Sequence, residues 1–155
     1  EADCVVIAGM GGELIIHILE EGRGLWDTIG YWVISPQSEL DKVRRFLEKE
    51  SFSIARETMM KEDGKYYTVM GVTRDGISWD YTSEPHYLYG RRLIRQKSPV
   101  LAEFLKKEQE QLEQILDTLK DSDTPAALNR RGEMEAMLAW NKEAQDEMLG
   151  TDTEA

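Results

Sequence analysis

The sequence predicts an α/β fold followed by an antiparallel helical hairpin, and three observations carry that expectation. A strand-like run, Cys4-Val5-Val6-Ile7, empties into Ala8-Gly9-Met10-Gly11-Gly12 and restarts as a helical pattern on Leu14, Ile15, Ile18 and Leu19. A second short apolar run, Tyr31-Trp32-Val33-Ile34, is again followed by a helical pattern, which predicts parallel strands joined by crossover helices. Beyond Ser98-Pro99, two long amphipathic stretches separated by a short turn predict two antiparallel helices.

The glycine-rich turn is the feature with the most chemical content. Three glycines in four residues allow positive φ and close backbone approach, and ligands of open α/β sheets bind at the carboxyl ends of strands, where this turn lies. Gly-Met-Gly-Gly is neither the dinucleotide fingerprint, which needs G-x-G-x-x-G, nor a P-loop, since no Lys-Ser/Thr follows it. The simpler alternative is a tight connection and nothing more. The strand begins at residue 3 with no room for an earlier one, so the chain reads as the back half of a larger sheet.

After the first helix, Gly22 and Gly24 supply stop signals. The second strand stops at Ser35-Pro36-Gln37, and Ser38 with Asp41 resembles a capping box in which Asp replaces Glu. The helix it opens places Leu40, Val43, Phe46 and Leu47 on one face, with Lys42, Arg44, Arg45 and Lys49 expected to point outward. Phe52–Met60 and Tyr66–Thr73 are strand-like and flank Glu62-Asp63-Gly64-Lys65, where Asp-Gly signals a type I′ hairpin. Residues 77–97, with Pro85, Gly90 and several aromatics, are expected to form a basic and aromatic connecting loop. The domain organisation expected is therefore 1–76 for the sheet, 77–97 for the loop, 98–149 for the helical hairpin and 150–155 for a disordered tail. In the hairpin, Leu101, Leu105, Leu112, Ile115 and Leu119 face Leu128, Met134, Met137, Leu138 and Met148, and Ser98-Pro99 and Thr124-Pro125 each read as a cap followed by a first-turn proline.

Composition narrows the function classes. The 155 residues carry a net charge of −11, with 41% hydrophobic and 32% charged residues, the profile of a soluble globular chain. The charge is uneven: residues 1–97 hold 13 Lys/Arg against 16 Asp/Glu, and residues 98–155 hold 6 against 14. Against that acidic background, Arg91, Arg92, Arg95 and Lys97 form a basic run, which is either a solvated face or a set of phosphate contacts. The lone Cys4 precludes an internal disulfide and suits a reducing cytoplasm, where a small buried hydrophobe is its expected role. His17 and His86 have no Cys partners at ligand spacing, so no metal is expected. No apolar stretch approaches a membrane span.

Four segments, taken together, resemble one family. Asp3 to Gly12 with Leu14, Ile15, Ile18 and Leu19, then Glu62 to Tyr67, then Tyr89 to Ile94 running to Lys97-Ser98-Pro99-Val100, and finally the helical hairpin, are similar in the same order to the bacterial tRNA (adenine-22-N1)-methyltransferases. The resemblance implies the C-terminal portion of a class I, Rossmann-like methyltransferase sheet, whose final strand inserts antiparallel to the rest. It implies S-adenosylmethionine as cofactor, tRNA as partner and adenine N1 as the methylated atom. On these positions it would place Gly9, Met10 and Gly11 beside the transferable methyl, Ala8, Gly9, Met10 and Gly12 against the cofactor, and Pro36, Gln37, Asp63, Tyr66, Tyr67, Arg91, Arg92 and Arg95 toward the RNA. Two departures accompany it. The first strand with its cofactor loop and acidic ribose-binding residue would lie upstream of Glu1, and Ser35-Pro36-Gln37 stands where the family tends to show Gln-Pro-Asn. The alternatives are a methyltransferase of the same fold acting on another RNA or a small molecule, or a non-catalytic protein-binding module. A sheet lacking its upstream strands would also leave 3–7 as an exposed apolar edge, so self-association or reliance on an upstream half is expected.

Overall fold

The computed structural model describes residues 3–76 and 81–150. The chain divides into two compact units, Glu1–Leu93 and Ile94–Ala155. The first holds a four-stranded sheet in the order β1-β2-β4-β3, with β1 Cys4–Met10, β2 Tyr31–Pro36, β3 Ser53–Glu62 and β4 Lys65–Thr73. β1 and β2 run parallel, joined by α1 Gly12–Glu21 and a short 3₁₀ turn at Arg23–Leu25. α2 Leu40–Lys49 follows β2. β4 then inserts antiparallel between β2 and β3, pairing Ile34 with Met70 on one side and Glu57 with Met70 on the other.

Strand alternation sends one set of side chains to the helix-covered face. Ile7, Trp32, Ile34, Ile54, Met70 and Val72 meet Ile15 and Leu19 of α1 and Val43, Phe46 and Leu47 of α2 in one buried cluster. Trp26, Trp32 and Phe52 lock it with edge-to-face contacts, the Trp26–Phe52 centroids at 4.8 Å and Trp32–Phe52 at 5.1 Å. That geometry favours the negative ring face meeting a positive ring edge. The opposite face carries Val6, 67% exposed, and the exposed Cys4. The expectation of a buried Cys4 is thus corrected: alternation puts it with Val6, on the face that α1 and α2 do not cover. Gly71 sits on this face beneath the Tyr31 ring, whose hydroxyl lies 1.8 Å from where a Cβ would be.

Some of the expected local motifs form and others do not. Asp63 (φ 50) and Gly64 (φ 77) are both left-handed, the signature of the expected type I′ turn. Ser98 Oγ accepts from the Leu101 amide at 3.3 Å and Thr124 Oγ1 from the Ala127 amide at 3.2 Å, so both caps form as expected. The Ser38–Asp41 capping box does not: α2 starts from Glu39 in the left-handed region (φ 55) with no side-chain cap. The Ser38 carbonyl is instead engaged by the Gly12 amide at 3.0 Å. The connecting loop is also corrected. Its described part contains a π-helical turn, His86–Gly90, running into α3 Arg91–Arg95, and residues up to Leu93 belong with the sheet unit. Residues 77–80 of that loop and 151–155 of the expected tail lie outside the described residues.

The second unit pairs α4 Pro99–Leu119 with α5 Pro125–Leu149. Leu101, Leu105, Leu112 and Met148 are buried as the spacing requires, whereas Leu128 is 48% exposed. The fully buried Asn141 interrupts the apolar seam, donating from Nδ2 to the Leu105 carbonyl at 2.9 Å and to Glu108 Oε2 at 2.8 Å.

Candidate active site at the carboxyl edge of the sheet

The parallel strands end side by side. Met10 pairs with Pro36, and a register shift between Ala8 and Met10 marks a bulge at Gly9. Gly9 has φ +76 and nothing within 4 Å of the position a Cβ would occupy, so this backbone is left-handed and open on that side. The strand therefore continues through the turn to Met10, beyond its expected end at Ile7. The bulge returns Met10 to the helix-covered face, where its side chain packs against the core cluster. What Met10 offers to the edge is main chain.

The two strand ends are stitched together. The Gln37 amide donates to the Met10 carbonyl at 2.8 Å, and the Gly12 amide to the Ser38 carbonyl at 3.0 Å. A Cβ at Gly12 would lie 2.6 Å from the Ser38 oxygen, 2.9 Å from that of Glu39 and 3.0 Å from Val43 Cγ2, so only glycine lets α1 begin there. Gly11 is different: its Cβ would meet only the Ser38 hydroxyl, at 2.9 Å. Where the two helices start, Lys42 bridges Glu13 at 2.7 Å and Glu39 at 2.8 Å. Hydrogen bonding to Glu13, then Glu39, holds the Lys42 ammonium above its usual range, and Lys42 holds Glu13 below its own. All three side chains are substantially exposed, so the effect is geometric more than energetic.

The β3–β4 hairpin projects past this edge. Because Ile34 pairs with Met70, the earlier residues of β4 run beyond the end of β2, and Ser35 Oγ donates to the Thr68 carbonyl at 3.0 Å. Tyr66 and Tyr67 lie farther out along the same strand on opposite faces. Tyr67 shares the face of Ser35 and Ala8, and Tyr66 shares the face of Met70, with Lys61 Nζ 5.4 Å from its ring centroid. Asp63 is exposed at the tip.

The structure thus gathers Ala8, Gly9, Met10, Gly11, Gly12, Pro36 and Gln37 at one edge, with Tyr66, Tyr67 and Asp63 on the projecting hairpin. Pro36 is buried and Gln37 exposed. Arg91, Arg92 and Arg95 lie on α3, away from the glycine turn in sequence, with Arg91 half-buried and the other two exposed. Sequence reasoning missed Arg44, expected to point outward from α2. It is 1% exposed and pairs with the equally buried Glu57. Lys42 and Arg45 flank it on α2 and are exposed, so charge alone gave no cue. The signal available was its place between Val43 and Phe46, on the buried flank of the helix.

A parallel pair ending in a glycine bulge, with the last strand inserted antiparallel, defines part of a Rossmann-like methyltransferase sheet. Solved structures agree. The Bacillus subtilis m1A22 tRNA methyltransferase superposes with a TM-score of 0.77 at 27% identity, over 92% of this chain and 62% of that one. A Streptococcus pneumoniae relative solved with S-adenosyl-L-methionine gives 0.74 at 30% identity, over 92% and 59%. Residues 1–143 match the tRNA (adenine(22)-N(1))-methyltransferase family, and the chain belongs to it. The curated Bacillus subtilis tRNA (adenine(22)-N(1))-methyltransferase is 34% identical over 116 residues, 73% of this chain and 48% of that protein. The chain spans about half the length of the curated relatives it matches.

Proposed function

We propose that this chain contributes the carboxyl-edge half of the active site of an enzyme that transfers a methyl group from S-adenosylmethionine to N1 of an adenine in tRNA. The observation that carries the reading is the Gly9 bulge: a left-handed, uncrowded stretch of main chain at the carboxyl edge, beside Gln37 at the end of the neighbouring strand, with the projecting hairpin beyond it. The fit to a cofactor rests on the same observation. With no side chain on Gly9 or Gly11, a flat group can approach the backbone of Ala8 to Gly12 closely.

When bound, S-adenosylmethionine supplies a methyl group on a positively charged sulfur. The adenine N1 lone pair then takes that carbon while the carbon–sulfur bond breaks, and the positive charge passes to the adenine. No proton must leave N1 for the attack, so the residues here are not required to provide a strong base. Their work is alignment, which is worth on the order of 7–11 kcal/mol at best when reacting atoms are held about 3–3.5 Å apart. Gly9, Met10 and Gly11 line the reacting centre with main chain. The Gln37 side chain supplies an amide next to it, and Tyr67 or Tyr66 offers a ring on which an exposed RNA base can stack. Arg91, Arg92 and Arg95 contact phosphates. Such a role on tRNA places the protein in the cytoplasm, and among the described residues no helix is long and apolar enough to cross a membrane.

The test is incorporation of isotopically labelled methyl into unmodified tRNA by the complete protein, with the product digested to nucleosides. 1-methyladenosine is the expected product. Methyl on another atom, or labelling of small molecules but not tRNA, would overturn the reading.

A further inference from the structure

Arg44 and Glu57 take no part in the carboxyl edge, yet they form a buried ion pair between α2 and β3, with side chains 1% and 0% exposed. Arg44 donates from Nη2 and Nε to Glu57 Oε1, at 2.5 and 3.1 Å. Glu57 Oε2 has no hydrogen-bond partner among the described residues. A buried pair satisfied on one oxygen only is a poor device for stability, because apolar residues of similar volume are often as good or better.

What the pair does hold is backbone. Arg44 Nη1 donates to the carbonyls of Tyr87 at 2.6 Å and Leu88 at 3.0 Å, both in the π-helical turn. At the end of that turn Gly90 adopts φ +91, and a Cβ there would lie 2.7 Å from Glu57 Oε1 and 2.9 Å from Arg44 Nη2. The turn is fastened again at its outer side. Tyr87 Oη donates to Glu48 at 2.8 Å, the Arg45 guanidinium lies 4.0 Å over the Tyr87 ring, and Arg45 also pairs with Glu84. Desolvation by burial, then the Glu48 contact, raises the Tyr87 hydroxyl above its usual range, so it stays protonated and donating. π-turns are rare and concentrate at functional sites. The residues that leave this one are Arg91 and Arg92.

We propose that Arg44 and Glu57 are positioning residues for RNA recognition: through the Tyr87 and Leu88 carbonyls and the close fit at Gly90, they set the point and direction from which Arg91 and Arg92 emerge. The proposal rests on the reading of those arginines as phosphate contacts. The two variants chosen loosen the clasp and leave Arg91 and Arg92 in place. Arg44→Met with Glu57→Met replaces the pair by apolar side chains while removing the bonds to the carbonyls. Gly90→Ala keeps the pair and disturbs the fit.

Both are measured in the complete protein for melting temperature, tRNA affinity, tRNA KM against kcat, and affinity for S-adenosylmethionine, beside Arg91→Ala with Arg92→Ala. Each folded clasp variant is expected to bind tRNA about tenfold more weakly, the scale of one or two phosphate contacts. KM for tRNA should rise, with kcat at saturating tRNA and S-adenosylmethionine affinity retained. Wild-type tRNA affinity in a folded clasp variant would overturn the proposal while leaving the phosphate reading intact. So would a parallel loss of tRNA affinity, cofactor affinity and kcat, the mark of a merely structural pair. If the double-arginine variant itself binds tRNA normally, the underlying reading fails first.

Discussion

The Gly12 amide donates to the Ser38 carbonyl at 3.0 Å, and the same oxygen stands 2.6 Å from where a Gly12 side chain would begin. This hydrogen bond ties the two turns that follow β1 and β2, and the closeness of the same main chain leaves no room for a side chain at its donor. Gly12→Ala should cost about 1–3 kcal/mol, the scale of forced overpacking, because the atoms it meets are main chain and cannot swing aside. Thermal unfolding checks this, and an unchanged melting temperature would mean the turns can separate freely.

Gly11→Asp should separate chemistry from folding. Gly11 has φ −65, and its Cβ would meet only the Ser38 hydroxyl, a group able to rotate away, so the melting temperature should move little. A carboxylate beside the reacting centre should nevertheless reduce methyl transfer by at least about a hundredfold, the penalty typical of small misplacements. Near-normal turnover would show the turn to be a connection only.

Replacing Arg91, Arg92 and Arg95 together by Ala should weaken tRNA binding and flatten its dependence on salt. Losing three phosphate contacts should lower the slope of log K against log salt by roughly 2–3. Calorimetric affinity for S-adenosylmethionine should stay as it was. An unaltered salt slope would make the run a solvated face.

In the second unit, Asn141→Ala should destabilise the α4–α5 pair by about 1–3 kcal/mol, since it leaves buried polar partners unsatisfied and a void at the seam. Gln145 Nε2, which donates to Asn141 Oδ1 at 2.5 Å and to Gln109 Oε1 at 2.8 Å, would lose one of its acceptors. Amide exchange along α4 near Leu105 reads the effect. Exchange that is unchanged there would assign the stability to the leucines alone.

A protein limited to these 155 residues should bind S-adenosylmethionine poorly and associate with itself. Among the described residues β1 pairs only with β2, and Val6 is largely exposed on its uncovered face. Such an edge invites strand pairing with another chain. Calorimetry with light scattering checks both statements, and micromolar cofactor binding by a monomer would contradict them.

What could be read from the sequence was local. The Asp63-Gly64 turn, the two cap-then-proline starts and the core-facing residues of α2 follow from nearest-neighbour chemistry, and each is present. The glycine turn was legible as a close-approach site because three glycines stand together. What escaped depends on distant partners. Ser38 looked like a cap because the competing use of its carbonyl comes from Gly12, 26 positions away. Arg44 looked solvent-facing because Glu57 and the carbonyls of Tyr87 and Leu88 are invisible to helical periodicity. The π-turn is invisible in the sequence for the same reason: its anchoring lies in another element.

The insertion of β4 between β2 and β3 has a consequence for the order of assembly. β2 cannot acquire its second neighbour until Met70 and Val72 exist, since these pair with Ile34 and Trp32. On a ribosome, where the chain emerges from its amino end at about 5–20 residues per second, the apolar run Tyr31-Trp32-Val33-Ile34 must wait several seconds with one flank bare. The β3–β4 hairpin, by contrast, closes over two residues and can form as soon as it emerges. It then docks as a ready-made ribbon, making the Asp63-Gly64 turn a timing element: a variant slow to close there would prolong the interval in which nascent chains can capture one another.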